Sequence, residues 1–302
     1  MAITGAHVAR APRIRLGMVG GGRDAFFGAV HRIAARLDDQ YELVAGCFSA
    51  NAEKSLASAA DLGVARAYTS YADMAAKEAR RKDGIEAVAI VTPIHMHAPV
   101  TMQYLKRGIH VICDKPLTAT LAEAKPLAKA AEASGVVFAL THNDTGYPMI
   151  RQAKAMIAAG ELGRDPAGAG GIRAGLAGRT LGAVGPEAGR LAHRSGAFRR
   201  VPARSGAGGS TGDIGTHAFN LAGFVTGLEV DVLAADLQAF VSGRRVDDNG
   251  HVLMRYKGGH GGCCGADRWR QARETGCGCG SMAPRPGSSG RRRTPTTCGW
   301  AP

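Results

Sequence analysis

The sequence predicts an α/β protein whose N-terminal half forms a doubly wound parallel sheet. Strand-like apolar runs alternate with helical stretches from residue 14 to residue 141. The run IEAVAIV at 85–91 is almost continuously apolar, as expected for a central strand that is covered on both faces. A glycine-rich turn directly follows the first strand. Alternation of this kind indicates a parallel sheet that binds its ligands beyond the carboxyl ends of the strands.

The individual elements are assigned from apolar runs and helical periodicity. Strands are predicted at 14–19, 41–48, 85–91, 110–114 and 136–141. Helices are predicted from the glycine-rich turn through Arg36, and then at 51–62, 98–107 and 120–134. Chemically useful groups fall at the strand ends, namely Gly20 to Gly22, Ser49, Thr92 and Pro93, Asp114 to Pro116, and His142 and Asn143.

The glycine-rich turn, Gly20-Gly21-Gly22-Arg23-Asp24-Ala25, fits the pattern G-x-G-x-x-A. The first glycine permits a tight turn, the second lets a pyrophosphate approach the backbone, and the alanine lets helix and strand pack closely. The amino end of the following helix offers free N–H groups and partial positive charge to the phosphates. Between a strand and a helix, this pattern predicts a dinucleotide site that includes Gly20, Gly21, Gly22, Arg23 and Ala25.

The net charge of +13 suggests a nucleic-acid partner, but its distribution argues against one. Residues 164–202 and 260–302 each hold seven arginines and two acidic residues, and neither stretch contains lysine or shows periodicity. A nucleic-acid-binding surface places its charges on a patterned face or beside stacking aromatic residues. We therefore expect no nucleic-acid partner.

Cysteine spacing, hydropathy and the N-terminal segment bear on whether the protein binds a metal, spans a membrane or is secreted. Five of the seven cysteines fall after residue 262, and their C-C and C-x-C spacings differ from the C-x2-C pairs of structural zinc sites. The sequence contains no run of eighteen apolar residues, so we expect no membrane span. The N-terminal segment lacks the apolar stretch and cleavage site of a secretory signal. We expect a cytoplasmic protein with no metal site.

Four motifs, GMVGGG, VTPIHMHAP, ICDKPL and GGSTGDIGTH, together resemble those of the Gfo/Idh/MocA oxidoreductase family. The resemblance covers residues 14–163 and 203–257 in the family's order. It implies a Rossmann domain for NAD(P) at 1–142, followed by an α/β domain at 143–302 with an open, mostly antiparallel sheet. In the family that sheet lines the substrate pocket and commonly forms an oligomer interface. The resemblance therefore implies a homo-oligomer for an intact family member, an expectation that the interrupted stretches described below weaken for this chain.

The resemblance implies hydride transfer between NAD or NADP and a carbinol or carbonyl carbon of a sugar, cyclitol or related polyol. One alternative is a dinucleotide-binding protein without catalytic activity, because its second domain is damaged. Another is a hydrolytic variant of the family that uses NAD transiently. Turnover of NAD(P)H with a carbonyl substrate separates the first hypothesis from the second, and product release without net cofactor reduction identifies the third.

Three residues are assigned to the chemical step. Asp114-Lys115-Pro116 stands where the family has Glu-Lys-Pro, and Lys115 at a strand end can hydrogen-bond the reacting oxygen and stabilise its developing negative charge. Asp213 and His217 are four residues apart, so on a helix they share one face. The resemblance implies that His217 takes the proton from the carbinol oxygen, while Asp213 either holds the substrate hydroxyl or orients the histidine.

Other residues are assigned to the cofactor and the substrate by their place in the family motifs. The resemblance places Asn143 and the catalytic residues Lys115, Asp213 and His217 against the substrate. The residues that it places along the cofactor beyond the glycine-rich turn are Thr92, Pro93, His97, Asp114 and Lys115.

The end of the second strand bears on the choice between NAD and NADP. An acidic residue there would bind the adenosine ribose hydroxyls and indicate NAD. The chain carries Ser49 and Asn51 at this place, with Lys54 one turn later. These side chains can accept a 2′-phosphate, so both Ser49 and Lys54 are assigned to the cofactor and NADP is slightly favoured over NAD.

Two stretches interrupt the motif resemblance, at about 164–201 and 258–302. One choice of synonymous codons lets a neighbouring reading frame of each stretch encode alternating, aromatic-containing and family-like sequence. We interpret both stretches as frame-shifted. They are then expected to bury no apolar face and to be largely disordered. The strands near 230–240 and 251–256 are expected to lack sheet partners, which leaves the second domain incomplete.

Overall fold

The structure is a computed structural model that describes residues 12–23, 25–161, 209–240, 246–259, 261–267 and 277–280. The chain forms two compact units. The first comprises Met1–Leu117 and Leu121–Leu140, and the second comprises Thr118–Thr120 and Thr141–Pro302. The frame-shift interpretation rests on residues 164–201 and 258–302. All of the first stretch and most of the second lie outside the described residues.

A parallel sheet of six strands forms the centre of the first unit. The strands are β1 Ile14–Gly20, β2 Tyr41–Cys47, β3 Arg66–Ala67, β4 Ala87–Val91, β5 His110–Asp114 and β6 Phe138–Thr141. Their order is β3-β2-β1-β4-β5-β6, and β1 pairs in parallel with both β2 and β4. The chain therefore winds outward in both directions from β1 and β4, which confirms the predicted doubly wound sheet. The change of direction leaves a crevice at the carboxyl edge.

The central strand β4 is covered on both faces. Val88 and Ile90 belong to one core cluster together with Tyr104, and none of the three exposes any surface. Ala87 and Ala89 belong to a second cluster. Alternate side chains enter opposite clusters because successive residues of a strand point to opposite faces of the sheet. This double burial explains why the run at 85–91 is apolar at nearly every position.

The helices described in the first unit are α1 Phe26–Leu37, α2 Ala52–Asp61, α3 Tyr71–Glu78, α4 His97–Leu105 and α5 Leu121–Ser134. Side-chain caps mark where α2 and α3 begin: Asn51 Oδ1 accepts the Lys54 N–H at 2.8 Å, and Ser70 Oγ accepts the Asp73 N–H at 3.3 Å. Sequence analysis did not predict β3 and α3. Elements of two and eight residues are too short to show a clear hydrophobic period.

The second unit combines helices with an antiparallel sheet. Its elements are α6 Pro148–Ala158, a π-helical turn Thr211–Gly215, α7 Thr216–Thr226, β7 Val230–Gln238, β8 Asn249–Tyr256, β9 Gly261–Asp267 and β10 Cys277–Gly280. The strand order is β10-β9-β8-β7, and each neighbouring pair is antiparallel. Helix α7 buries Ala218 and Ala222 against Met254 and Tyr256 of β8. The antiparallel sheet agrees with the predicted fold class.

The expectation that the strands near 230–240 and 251–256 lack sheet partners is wrong. β7 pairs with β8, for example Ala234 with Leu253, and β8 pairs with β9, for example Val252 with Cys264. Main-chain N–H and C=O groups make these ladders, so pairing does not require an alternating side-chain pattern. Cys264 is 6% exposed and packs in the same cluster as Met254. Residues 261–267 and 277–280 thus form strands within a stretch that was expected to be largely disordered.

Within the described ranges, no helix combines the length and the apolar character that a membrane crossing needs. Across the same residues, no three His, Cys, Asp or Glu side chains are grouped so as to hold a metal ion.

Candidate active site

The turn between β1 and α1 closes so tightly that its glycines have no room for side chains. Gly20 and Gly21 have φ values of +78° and +71°, in the left-handed region that favours glycine. A Cβ atom on Gly20 would overlap the carbonyl oxygen of Val91, and one on Gly22 would lie 2.9 Å from the carbonyl oxygen of Phe48. The backbone of this turn therefore lies directly against the carboxyl ends of β4 and β2.

Helix α1 is tied to this turn by backbone and side-chain contacts. The Ala25 N–H, just before the helix begins, donates to the Gly22 carbonyl at 3.1 Å. Arg32 Nη1 donates to the Gly21 carbonyl at 2.6 Å. A Cβ atom on Gly28 would overlap the backbone of Gly21, so helix and turn are in direct contact. These contacts fix the amino end of α1 behind the turn.

Arg23 is directed toward α2. Its backbone N–H donates to Ser58 Oγ at 3.1 Å, and its guanidinium binds both carboxylate oxygens of Asp61, with Nη2 to Oδ1 at 2.7 Å. This hydrogen bonding holds the pKa of the Asp61 carboxyl below its usual value. The three residues, with Arg32, line a cavity of about 400 Å³ beside the turn. Arg23 therefore contributes its backbone to the predicted dinucleotide turn while its side chain pairs with α2.

The segment after β2 is held by short-range hydrogen bonds. Ser49 Oγ accepts the Asn51 N–H at 3.1 Å, and Asn51 Oδ1 in turn accepts the Lys54 N–H. Lys54 is exposed in the first turn of α2. Residues 48–51 carry no carboxylate. The expectation of NADP rests on this polar, carboxylate-free segment.

His97 joins the loops that follow β4 and β5. It is 1% exposed, with Nδ1 2.8 Å from the Pro116 carbonyl oxygen and Nε2 3.0 Å from the Thr92 carbonyl oxygen. Both ring nitrogens thus face backbone carbonyls, so His97 holds the two loops together. Thr92 Oγ1 is buried and has no hydrogen-bond partner among the described residues, and Pro93 follows it. A buried hydroxyl of this kind can be satisfied by a bound ligand.

Lys115 lies immediately after β5, with α1 beside it. Asp114 Oδ1 accepts the Lys115 N–H at 2.9 Å and lies 4.0 Å from His31 Nε2. Lys115 Nζ is 5.9 Å from the ring centroid of Phe27, within cation–π range. Phe27 and His31 are one helical turn apart, so one face of α1 supports both residues of the motif. Neither residue was predicted from the sequence, although their spacing behind the glycine-rich turn was a usable signal.

His217 of the second unit lies on α7, and Asp213 lies in the π-helical turn before it. His217 Nδ1 is 3.4 Å from Asp144 Oδ2, and Asp144 Oδ1 accepts a hydrogen bond from Asn143 Nδ2 at 3.1 Å. The rings of His217 and His142 meet edge to face, with centroids 5.9 Å apart. Sequence analysis missed Asp144. Its place next to Asn143, just after a strand, was the signal that could have found it.

Two family models match the chain. An oxidoreductase family with an NAD-binding Rossmann fold matches residues 14–142, and the GFO/IDH/MocA C-terminal domain matches residues 172–278. The uncharacterized oxidoreductase YfiI of Bacillus subtilis (strain 168) is 34% identical over 282 residues, which cover 92% of this chain and 69% of that protein. The chain belongs to the GFO/IDH/MocA oxidoreductase family.

Other proteins similar to this GFO/IDH/MocA member carry more specific names. Levoglucosan dehydrogenase of Pseudarthrobacter phenanthrenivorans is 30% identical over 178 residues, covering 59% of this chain and 42% of that protein. An inositol dehydrogenase homolog from Azotobacter vinelandii, solved with NADH and myo-inositol, is 32% identical with a TM-score of 0.68. That match covers 85% of this chain and 69% of the homolog. By family, the protein is an oxidoreductase with an NAD-binding fold.

The GFO/IDH/MocA similarity also reaches into the interrupted stretches. The C-terminal domain match begins at residue 172 and continues to residue 278. It therefore crosses most of 164–201 and part of 258–302, where comparison of short motifs found no resemblance. A domain model scores weak similarity summed over many positions, whereas a motif comparison depends on a few residues at fixed spacing.

Proposed function

We propose that this protein transfers a hydride between NAD or NADP and a carbinol or carbonyl carbon of a sugar, cyclitol or related polyol. The observation that carries the proposal is Lys115 at the carboxyl end of β5, in the same parallel sheet whose first turn is closed by glycines. Doubly wound sheets bind their ligands at this edge. A lysine ammonium there can hydrogen-bond a substrate oxygen as negative charge develops on it.

The residues at this edge suit a dinucleotide. The tight turn from Gly20 to Gly22 lets a pyrophosphate approach backbone N–H groups and the amino end of α1. Thr92 Oγ1 supplies a buried hydroxyl without a partner among the described residues, which suits the polar groups of a nicotinamide riboside. When bound, the nicotinamide accepts or supplies the hydride. Ser49, within residues 48–51 that carry no carboxylate, and Lys54, in the first turn of α2, favour NADP slightly over NAD.

The protein's own side chains would then bind the substrate and transfer its proton. Lys115 holds the reacting oxygen, and His217 takes its proton during oxidation and returns it during reduction. Asn143 and Asp213 bind substrate hydroxyls. The myo-inositol held by the Azotobacter homolog supports a cyclitol, and the name of levoglucosan dehydrogenase supports a sugar derivative.

Turnover by the full chain tests the proposal. The reduced and oxidised forms of both cofactors are mixed with cyclitols, aldoses, anhydro sugars and their keto counterparts, and the absorbance of the reduced nicotinamide is followed. We expect one substrate class to react and NADP to bind more tightly than NAD.

Other outcomes of this experiment identify the alternatives. Saturable cofactor binding without turnover of any substrate indicates a dinucleotide-binding protein without activity. Product release without net change of the cofactor indicates the hydrolytic variant. A calorimetric titration that shows no saturable binding of either cofactor at millimolar concentration would remove the dinucleotide site itself.

A further inference from the structure

The two carboxylate oxygens of Asp144 face two different side chains. Oδ1 accepts a hydrogen bond from Asn143 Nδ2 at 3.1 Å, and Oδ2 lies 3.4 Å from His217 Nδ1. Asp144 is 7% exposed, and a carboxylate this buried needs partners that offset its lost hydration. Asn143 satisfies one oxygen, and His217 is the basic side chain at ion-pair distance from the other.

The imidazole of His217 is oriented by the loop after β6 as well as by its own helix. His142 meets its ring edge to face at an interplanar angle of 90°. Nδ1 is buried and faces Asp144, although the approach is not yet aligned as a hydrogen bond. Hydrogen bonds of catalytic groups are often long without substrate and tighten when the substrate binds.

We propose that Asp144 is the positioning residue of His217. This inference rests on the proposed function. The Asp144 carboxylate accepts the hydrogen bond of the Nδ1–H group, which leaves the lone pair of Nε2 free. As the carbinol O–H and C–H bonds break, the proton moves to Nε2, the hydride passes to the oxidised dinucleotide, and the carbonyl forms. The imidazolium that results is stabilised by the adjacent carboxylate.

The contact with His217 separates the role of Asp144 from that of Asp213. Asp144 reaches the imidazole from the loop after β6, with Oδ2 3.4 Å from Nδ1. Asp213 lies in a π-helical turn, in which the Thr216 N–H bonds to the Thr211 carbonyl five residues earlier. Of the two roles expected for Asp213, we therefore assign the orienting role to Asp144 and leave Asp213 to hold a substrate hydroxyl.

Kinetics of the isosteric variant Asp144→Asn give the first test in the full chain. We expect kcat to fall by about 10²–10⁴-fold, as for loss of a positioned proton-transfer arrangement, with unchanged cofactor affinity and nearly unchanged KM. Asp144→Glu should recover part of the loss because it restores the carboxylate. Glu161→Gln removes an exposed carboxylate after α6 and should match the unmodified protein. Near-normal kcat in Asp144→Asn would overturn the proposal.

The tautomer of His217 gives a readout that does not depend on activity. Long-range ¹H–¹⁵N correlations of the histidine-labelled protein, assigned by loss of the signal in His217→Gln, should show Nδ1–H and unprotonated Nε2. Asp144→Asn should shift this signal toward Nε2–H, whereas Asp213→Asn should leave it in place. An unchanged tautomer in Asp144→Asn overturns the proposal even where kcat falls. Absence of turnover in the unmodified protein counts against the proposed function and leaves the NMR result to decide the role of Asp144.

Discussion

Lys115, the proposed catalytic lysine, is contacted by residues of β5 and α1. Its backbone N–H is held by Asp114 Oδ1, and its ammonium lies within cation–π range of Phe27. His31, one turn further along α1, faces the same Asp114 oxygen at 4.0 Å. The contact with Phe27 restricts the side chain before any ligand binds, and a restricted side chain loses less entropy when it engages a substrate.

Substitution of Lys115 tests its proposed catalytic role directly. Lys115→Ala removes the hydrogen-bond donor for the reacting oxygen, and we expect kcat to fall by about 10²–10⁴-fold. Steady-state kinetics with a substrate that the unmodified chain turns over measure the change. Lys77→Ala, on the exposed side of α3, removes an equal charge elsewhere and should leave kcat unchanged. If Lys115→Ala turns over at the unmodified rate, Lys115 has no part in the chemical step.

At the scale of elements, β8 places its side chains alternately on two faces of the second sheet. Met254 packs with α7, whereas its neighbour Leu253 faces the other way and is 58% exposed. Val232 of β7 lies across the sheet on the same open face and is 57% exposed. Ala234 pairs with Leu253 on this face, so Val232, Ala234 and Leu253 form one apolar patch across the two strands, and contiguous apolar patches mark association surfaces. We therefore propose that this face binds a second copy of the chain.

A charge on the open face should prevent this association. Leu253→Glu would bury an unpaired carboxylate in the proposed interface, which is strongly unfavourable. We expect the oligomeric state measured by sedimentation velocity to change from oligomer to monomer. Leu237→Glu, on the opposite face and 53% exposed, is the matched control and should leave the oligomer intact. A monomeric unmodified protein at micromolar concentration would contradict the proposed homo-oligomer.

At the scale of the whole molecule, the positive charge is concentrated in two stretches. Residues 164–202 and 260–302 each carry seven arginines against two acidic residues and contain no lysine. The GFO/IDH/MocA C-terminal match nonetheless enters both stretches, and β9 and β10 lie within the second. The frame-shift interpretation therefore rests on the atypical composition of the two stretches and not on the extent of the family match.

The coding DNA tests this interpretation. We expect resequencing to show a single-base insertion or deletion near the codon for Gly163, a compensating change near Val201 and a third near His260. Translation of neighbouring frames across residues 14–141 serves as the control and should show no family-like sequence. Verified DNA that encodes both stretches as written, with no family-like alternative frame, would refute the idea.

Local chemistry made much of the first unit predictable. A strand buried on both faces has to be apolar at nearly every position, and a turn with φ values of +78° and +71° requires glycine, so β4 and the β1–α1 turn were evident from residue types. The short α3 and β3 lacked such a signal. The pairing of β8 with β9 also escaped prediction, because main-chain hydrogen bonds leave no mark on side-chain pattern.

The sequence by itself determined the fold class, the family and the positions of Lys115 and His217, because each depends on residue types at short, fixed spacing. Tertiary structure alone decided that His31 faces Asp114 and that Asp144 faces His217. Each of these pairs joins elements far apart in the chain, and their contact depends on how helices and strands pack and on where side chains point from them. No local period encodes that information.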